Sequence, residues 1–118
     1  MKSLKFISVI LSALTALLFL PVSPAGAAVN TVCAGSLPTG WVKTNDFWDP
    51  TRCGNPSRIT YNVWNIASYY DQPVGTIMTV CSNQLPVGWV TINTQWDPTS
   101  CGHPSRISQN MWTIQRLS

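Results

Sequence analysis

The sequence predicts an all-β fold made of two tandem disulfide-stapled repeats, each of about three short strands, packed with pseudo-twofold symmetry. Proline and glycine recur every few residues after residue 27, which excludes long helices from that part of the chain. Short runs rich in β-branched and aromatic residues fit strands instead. A three-stranded module alone buries little apolar surface, so we expect the two copies to pack on each other.

A gapless internal repeat is the main evidence for two similar modules. Residues 31–66 and 79–114 align at an offset of 48 and are identical at 22 of 36 positions. Residues 67–78 join the copies. Self-similarity of this strength indicates that one supersecondary unit was duplicated.

Three runs in each copy predict the strands. In the first copy they are residues 31–33, 40–42 and 59–66, with counterparts at residues 77–81, 88–90 and 107–114. The second run of each copy follows a Pro-x-Gly turn. In the third run, alternation places Asn62, Trp64 and Ile66 on one face. The second copy retains these three residues, so we expect this face to point to the core.

The four cysteines follow the repeat, two in each copy and 20 residues apart. Four cysteines allow three pairings. The repeat favours Cys33–Cys53 with Cys81–Cys101, because each module then closes its own loop; the alternative exchange between copies needs intertwined modules. A zinc site would require closely spaced thiolates, and no C-x2-4-C unit is present.

Taken together, the motifs are C-x4-P-x-G-W-V, then W-x-P-x2-C-G-x-P, then N-x-W-x-I. This order resembles small secreted bacterial tandem-repeat proteins built from P-x-G-W-V…C-G disulfide modules. The resemblance covers both repeats and implies secretion and a disulfide-bonded β module. It implies no activity and assigns no functional residue.

The N-terminal 27 residues are predicted to form a secretory signal peptide. Lys2 and Lys5 provide a positive start, residues 6–20 are apolar, and residues 25–27 (AGA) offer a small-residue cleavage site. The apolar run is shorter than the roughly 20 residues that a membrane-spanning helix needs. We therefore expect a mature domain of residues 28–118, secreted to the periplasm or the cell exterior without a membrane anchor.

The charge and composition of residues 28–118 exclude several classes of function. Five cationic and four acidic side chains leave a net charge of +1, which argues against binding nucleic acid or an anionic membrane. This part has no glutamate and a single histidine, His103, which stands where the first copy has Asn55. We expect His103 to be an exposed loop residue. With no G-x-S-x-G, H-E-x-x-H, Walker or EF-hand motif, we expect no catalytic residue, metal or cofactor.

The candidate binding residues lie in or beside the W-D-P-T loops between the paired cysteines. They are Trp48, Asp49 and Arg58 in the first copy, and Trp96, Asp97 and Arg106 in the second. A tryptophan can stack on a sugar ring, while aspartate accepts and arginine donates hydrogen bonds to hydroxyl groups. The structural alternative is that the indoles fill the core, the aspartates start turns before Pro-Thr, and the arginines pair with them.

These features predict a secreted, non-enzymatic binding module whose two similar sites recognise carbohydrate or a cell-wall polymer. The alternative is an inhibitor or antagonist that presents a disulfide-pinned loop to an extracellular protein. A third hypothesis is a small structural or antimicrobial surface protein. The near-neutral net charge counts against a membrane-lytic role of this kind.

Overall fold

The computed structural model describes residues 26–118, which fold into six strands in two three-stranded antiparallel sheets. The strands are β1 Val29–Cys33, β2 Trp41–Phe47, β3 Val63–Ser68, β4 Ile77–Cys81, β5 Trp89–Gln95 and β6 Met111–Arg116. The predicted all-β class and the three strands per copy are confirmed. The predicted signal peptide, except for its last two residues, lies outside the described residues. Within residues 26–118, no helix is long and apolar enough to cross a membrane.

The two sheets share one topology. Their orders are β1-β3-β2 and β4-β6-β5, so the third strand of each lies in the centre, and the second strand of each carries a bulge after Lys43 or Thr91. We call β1–β3 the first module and β4–β6 the second module.

Each Pro-x-Gly turn requires its glycine. Gly88 has φ +87°, and a Cβ there would lie 2.7 Å from the Ser118 carbonyl oxygen.

The central strands begin later than predicted. Residues 59–62 and 107–110 form no strand, and Ile59 and Ile107 are 70% and 77% exposed. The chain turns instead, because the Asn62 N–H donates to the Thr60 carbonyl oxygen at 2.8 Å. Of the predicted core face, Asn62 and Ile66 are buried and Trp64 is half-buried, but Val63 on the opposite face is also fully buried.

Both predicted disulfides are present, Cys33–Cys53 and Cys81–Cys101. Each joins the end of the first strand to the loop that follows the second strand. A crosslink that closes a loop of this size contributes about 3 kcal/mol in the chain-entropy model.

The modules meet through strands that are not equivalent in the repeat. β2 of the first module packs against β4 of the second, whereas β1 and β5 are not in contact. A twofold axis would relate these two pairs and create both contacts. The arrangement is therefore head-to-tail and lacks the pseudo-twofold symmetry that the sequence predicts.

The apolar core crosses this junction. Val42 from β2 is packed with Val80, Trp89 and Ile114 of the second module. Val42 is 2% exposed, whereas Val90, its repeat counterpart at the free edge, is 37% exposed. The same side chain is thus core in one module and surface in the other, because only one of the two edges is covered.

A buried carboxylate anchors the polar side of the junction. Asp46 is 3% exposed, and both of its oxygens accept the Gly102 N–H, at 2.9 and 2.8 Å. The Lys43 ammonium lies 2.8 Å from the same carboxylate and 4.6 Å from the centre of the Trp64 ring. A buried carboxylate needs such partners, because its desolvation is otherwise unfavourable by several kcal/mol.

His103 lies in this junction and is not the exposed loop residue that the sequence predicts. Its ring stacks on Tyr61 with centroids 4.1 Å apart, and its Nε2 is 2.9 Å from the Asp46 carbonyl oxygen. The side chain retains 27% exposure. The position differs between the copies because only the second module's loop meets β2.

Replacing Asp46 by alanine should lower the free energy of unfolding by about 3 kcal/mol, because it leaves the Gly102 N–H and the Lys43 ammonium without their shared acceptor. The matched control is Thr94→Ala, the repeat-equivalent position on exposed β5, which should change stability by less than about 0.5 kcal/mol. Urea unfolding followed by tryptophan fluorescence measures both. Equal losses in the two variants would contradict this account of the junction.

Candidate functional site

The two W-D-P-T loops have the same construction. Trp48 follows β2 directly, and its Nε1 donates to the Pro56 carbonyl oxygen at 3.3 Å. Trp96 follows β5 and donates to the Pro104 carbonyl oxygen at 3.2 Å. Trp48 is half-buried and Trp96 is 37% exposed. Each indole is thus held by its polar edge within its own loop, and part of the ring remains open to solvent.

One asparagine side chain forms hydrogen bonds to the backbone of each W-D-P-T loop. The Asn62 Oδ1 accepts the Asp49 N–H at 2.9 Å, and its Nδ2 donates to the carbonyl oxygens of Asp49 and Arg52 at 2.8 and 2.7 Å. Asn110 makes the equivalent bonds to Asp97 and Ser100. Both asparagines are buried, so a loop that forms no sheet still has its backbone polar groups satisfied.

The aspartates shape turns. The Asp49 Oδ1 accepts the Thr51 N–H at 2.9 Å and the Thr51 hydroxyl at 2.6 Å, and Asp97 bonds Thr99 in the same way. The Thr51 hydroxyl and N–H hold the pKa of Asp49 below its ordinary value. The Thr99 hydroxyl and N–H, followed by the Ser100 hydroxyl, lower the pKa of Asp97. Both aspartates therefore start turns, which is the structural alternative given for them above.

The arginines stand apart from these turns. Arg58 and Arg106 are exposed, and the ion pairs among residues 26–118 join Lys43 and His103 to Asp46. The pairing of these arginines with Asp49 and Asp97, which the structural alternative includes, is therefore absent from the described residues. Within the same residues, no three His, Cys, Asp or Glu side chains cluster as a metal site requires.

Each loop ends in a segment of unusual backbone conformation. Cys53, Gly54 and Asn55 have φ values of +53°, +93° and +48°, and Cys101, Gly102 and His103 follow with +48°, +88° and +48°. Non-glycine residues adopt this region at a cost of about 1–2 kcal/mol each. Strained segments of this kind persist where surrounding bonds determine them, and they concentrate at binding sites.

Two clefts are lined by residues other than Trp48 and Trp96. The larger, of about 470 Å³, runs along the first module and is lined by Val29, Asn30, Thr31, Thr44, Asn65 and Ile66. The smaller, of about 210 Å³, lies at the junction and includes Trp41, Tyr69 and Gln84. Neither cleft was predicted, because each is lined by residues from separate segments of the chain.

The junction residues Asp46, Tyr61 and His103 were also missed as a group. The signal that could have found them is divergence between the copies, since the corresponding residues are Thr94, Gln109 and Asn55. The chain matches no known protein family, no curated protein and no solved structure.

Replacing Asn62 by alanine should destabilise the fold by about 2 kcal/mol, because it leaves the Asp49 N–H and the carbonyl oxygens of Asp49 and Arg52 without their partner. Asn65→Ala, a half-buried amide on β3 that makes none of these bonds, is the control and should have a smaller effect. Thermal unfolding of both variants tests this. Equal destabilisation would show that the hydrogen bonds to the loop are not what stabilises it.

The turns at Asp49 and Asp97 should make stability depend on pH in acid. Because both folded pKa values lie below the ordinary value, the ionised form stabilises the fold above about pH 4, and this contribution is lost as pH falls through the lowered values. The double variant Asp49→Asn, Asp97→Asn keeps an acceptor for each threonine but cannot titrate. Its urea midpoint should therefore fall less than that of the wild type between about pH 4 and about pH 2. Parallel curves would contradict this assignment.

Proposed function

We propose that the protein is a secreted, non-enzymatic binding module that recognises carbohydrate or a cell-wall polymer through the loops of Trp48 and Trp96. One observation carries the proposal: both indoles are fixed by an Nε1 bond to their own loop while part of each ring stays open. Stacking on a sugar uses the ring face and leaves the N–H free for such an internal bond.

Rigidity of the two loops supports this proposal. Each tryptophan loop is closed by a disulfide and tied to a buried asparagine, so little side-chain or loop entropy remains to be lost on binding. Two similar sites in one chain also suit a repetitive polymer, because weak binding at each site is strengthened when both engage.

The polar contacts in this proposal come from the exposed Arg58 and Arg106, which can donate to sugar hydroxyls. Asp49 and Asp97 form the turns that position the indoles. The hydroxyl and amide side chains of the 470 Å³ cleft, Asn30, Thr31, Thr44 and Asn65, would accommodate further sugar units.

Secretion forms part of the same proposal. Two structural disulfides are consistent with an oxidising compartment, and residues 26–118 contain no free cysteine. The predicted signal peptide would deliver the chain there.

A second candidate, a binder of an extracellular protein, is favoured by the exposed isoleucines Ile59 and Ile107. Both copies keep them in the segment between the second cysteine and the third strand, at 70% and 77% exposure. Exposed aliphatic side chains suit a protein interface better than a sugar.

Trp48→Ala and Trp96→Ala should each weaken binding to a polymeric glycan about 30-fold at the affected site, which corresponds to about 2 kcal/mol for a lost stacking anchor. The double variant should lose avid binding altogether. Val87→Ala, at a fully exposed valine outside the loops, is the matched control. A glycan array followed by calorimetry on the best ligand measures the change.

Unfolding data on the same variants separate binding from folding. Loss of about 3–5 kcal/mol of stability in each single variant would identify Trp48 and Trp96 as core residues and remove the main support for sugar recognition. In that case the protein-binding candidate becomes the better one.

A further inference from the structure

The Cys101–His103 loop of the second module is a carboxylate receptor within this chain. Its Gly102 N–H donates to both oxygens of Asp46, and the Cys101 N–H donates to the Asn45 Oδ1 at 3.2 Å. Successive residues with φ near +50° to +90° turn their amide groups towards a common side. Backbone conformations of this kind form concavities that bind anions.

The first module contains the same loop without an occupant from the described residues. Cys53, Gly54 and Asn55 repeat the φ values of Cys101, Gly102 and His103 to within a few degrees. Gly54 and Asn55 are exposed and Cys53 is half-buried, and among residues 26–118 no strand packs on β1 in the way that β2 packs on β4. Among residues 26–118, the N–H groups of Cys53 and Gly54 have no acceptor.

A cation stands beside this open loop. Arg52 precedes Cys53 directly and takes the place of Ser100 in the other copy. Its Nη2 lies 3.5 Å from the Thr31 hydroxyl, and Thr31 lines the 470 Å³ cleft. Backbone N–H groups next to a guanidinium form a donor set that suits a carboxylate, since charge-assisted hydrogen bonds to it are the stronger ones.

We propose that Arg52 and the Cys53–Asn55 loop bind a carboxylate of an external ligand, and that the polymer recognised is an acidic glycan bearing uronic acids. The carboxylate site follows from the loop geometry, and the acidic glycan as its ligand rests on the proposed function. A second copy of this chain does not provide the missing group from the equivalent position, because Thr94 stands there in place of Asp46.

Titration of the 15N-labelled protein with sodium acetate tests the carboxylate site, with sodium chloride as the control for ionic strength. The Gly54 amide resonance should shift saturably with acetate, whereas Gly102, whose N–H already has its acceptor, should not move. A Gly54 shift that is the same with acetate and chloride overturns the proposal.

Two variants test the role of the cation. Arg52→Glu should weaken acetate binding about tenfold, because it removes the guanidinium and adds repulsion. The double variant Thr91→Glu, Gln95→Glu makes the same net charge change at exposed positions of β5 and should leave binding within about twofold. Equal effects of the two variants would show that net charge alone governs binding and would overturn the site.

Polygalacturonate and neutral dextran of matched length test the acidic ligand. Polygalacturonate should bind at least about tenfold tighter, and Arg52→Glu should remove that preference. Acetate binding at Gly54 with no binding of either polymer supports the carboxylate site and counts against the proposed function. Binding of both polymers with equal affinity overturns the acidic-glycan half of the proposal.

Discussion

The buried Asp46 carboxylate is the interaction on which the arrangement of the two modules depends. A charge that is 3% exposed persists only with compensating donors, and those of Asp46 come from both sides of the junction. Lys43 belongs to its own strand, whereas the Gly102 N–H and the His103 ring belong to the second module. Rotating one module relative to the other would remove the Gly102 N–H and the His103 ring and leave Lys43 as the partner from its own strand, so the carboxylate favours one partner surface and one register.

The division between identical and divergent positions follows from this geometry. Positions that build one module are the same in both copies: the disulfides, the Pro-x-Gly turns and the asparagine beneath each loop. The junction is head-to-tail, so its two faces come from different places in the repeat, and each face is used only once. The polar residues there serve only one copy and differ from their counterparts, as Asp46 does from Thr94 and His103 from Asn55, whereas the apolar Val42 is the same in both copies. The β5 edge corresponds to the β2 face of the junction, and the Cys53–Asn55 loop corresponds to the Cys101–His103 loop. No module of the described chain packs on either of them, so both lie at the surface.

Much of the single module could be predicted from the sequence, because its determinants are local. The repeat and the 20-residue cysteine spacing predicted both disulfides, and the short β-branched and aromatic runs predicted three strands per copy. The junction could not be predicted in this way. Identity between copies draws attention to shared positions, whereas the polar contacts of this heterologous junction are formed by positions that differ. His103 was thus expected to be exposed although it stacks on Tyr61, and pseudo-twofold packing was expected although β2 meets β4. The late start of β3 was missed because the strand-like run at Ile59 gives no sign that the Asn62 side chain holds the preceding loop.

The head-to-tail junction is tested most directly by amide hydrogen exchange at two glycines of one sample. Gly102 and Gly54 occupy equivalent positions in identical Cys-Gly segments, and only the Gly102 N–H has a buried carboxylate as its acceptor. We expect Gly102 to exchange far more slowly than Gly54, and this protection to disappear in Asp46→Ala while Gly54 is unaffected. Equal exchange rates at the two glycines in the wild-type protein would contradict the junction described here.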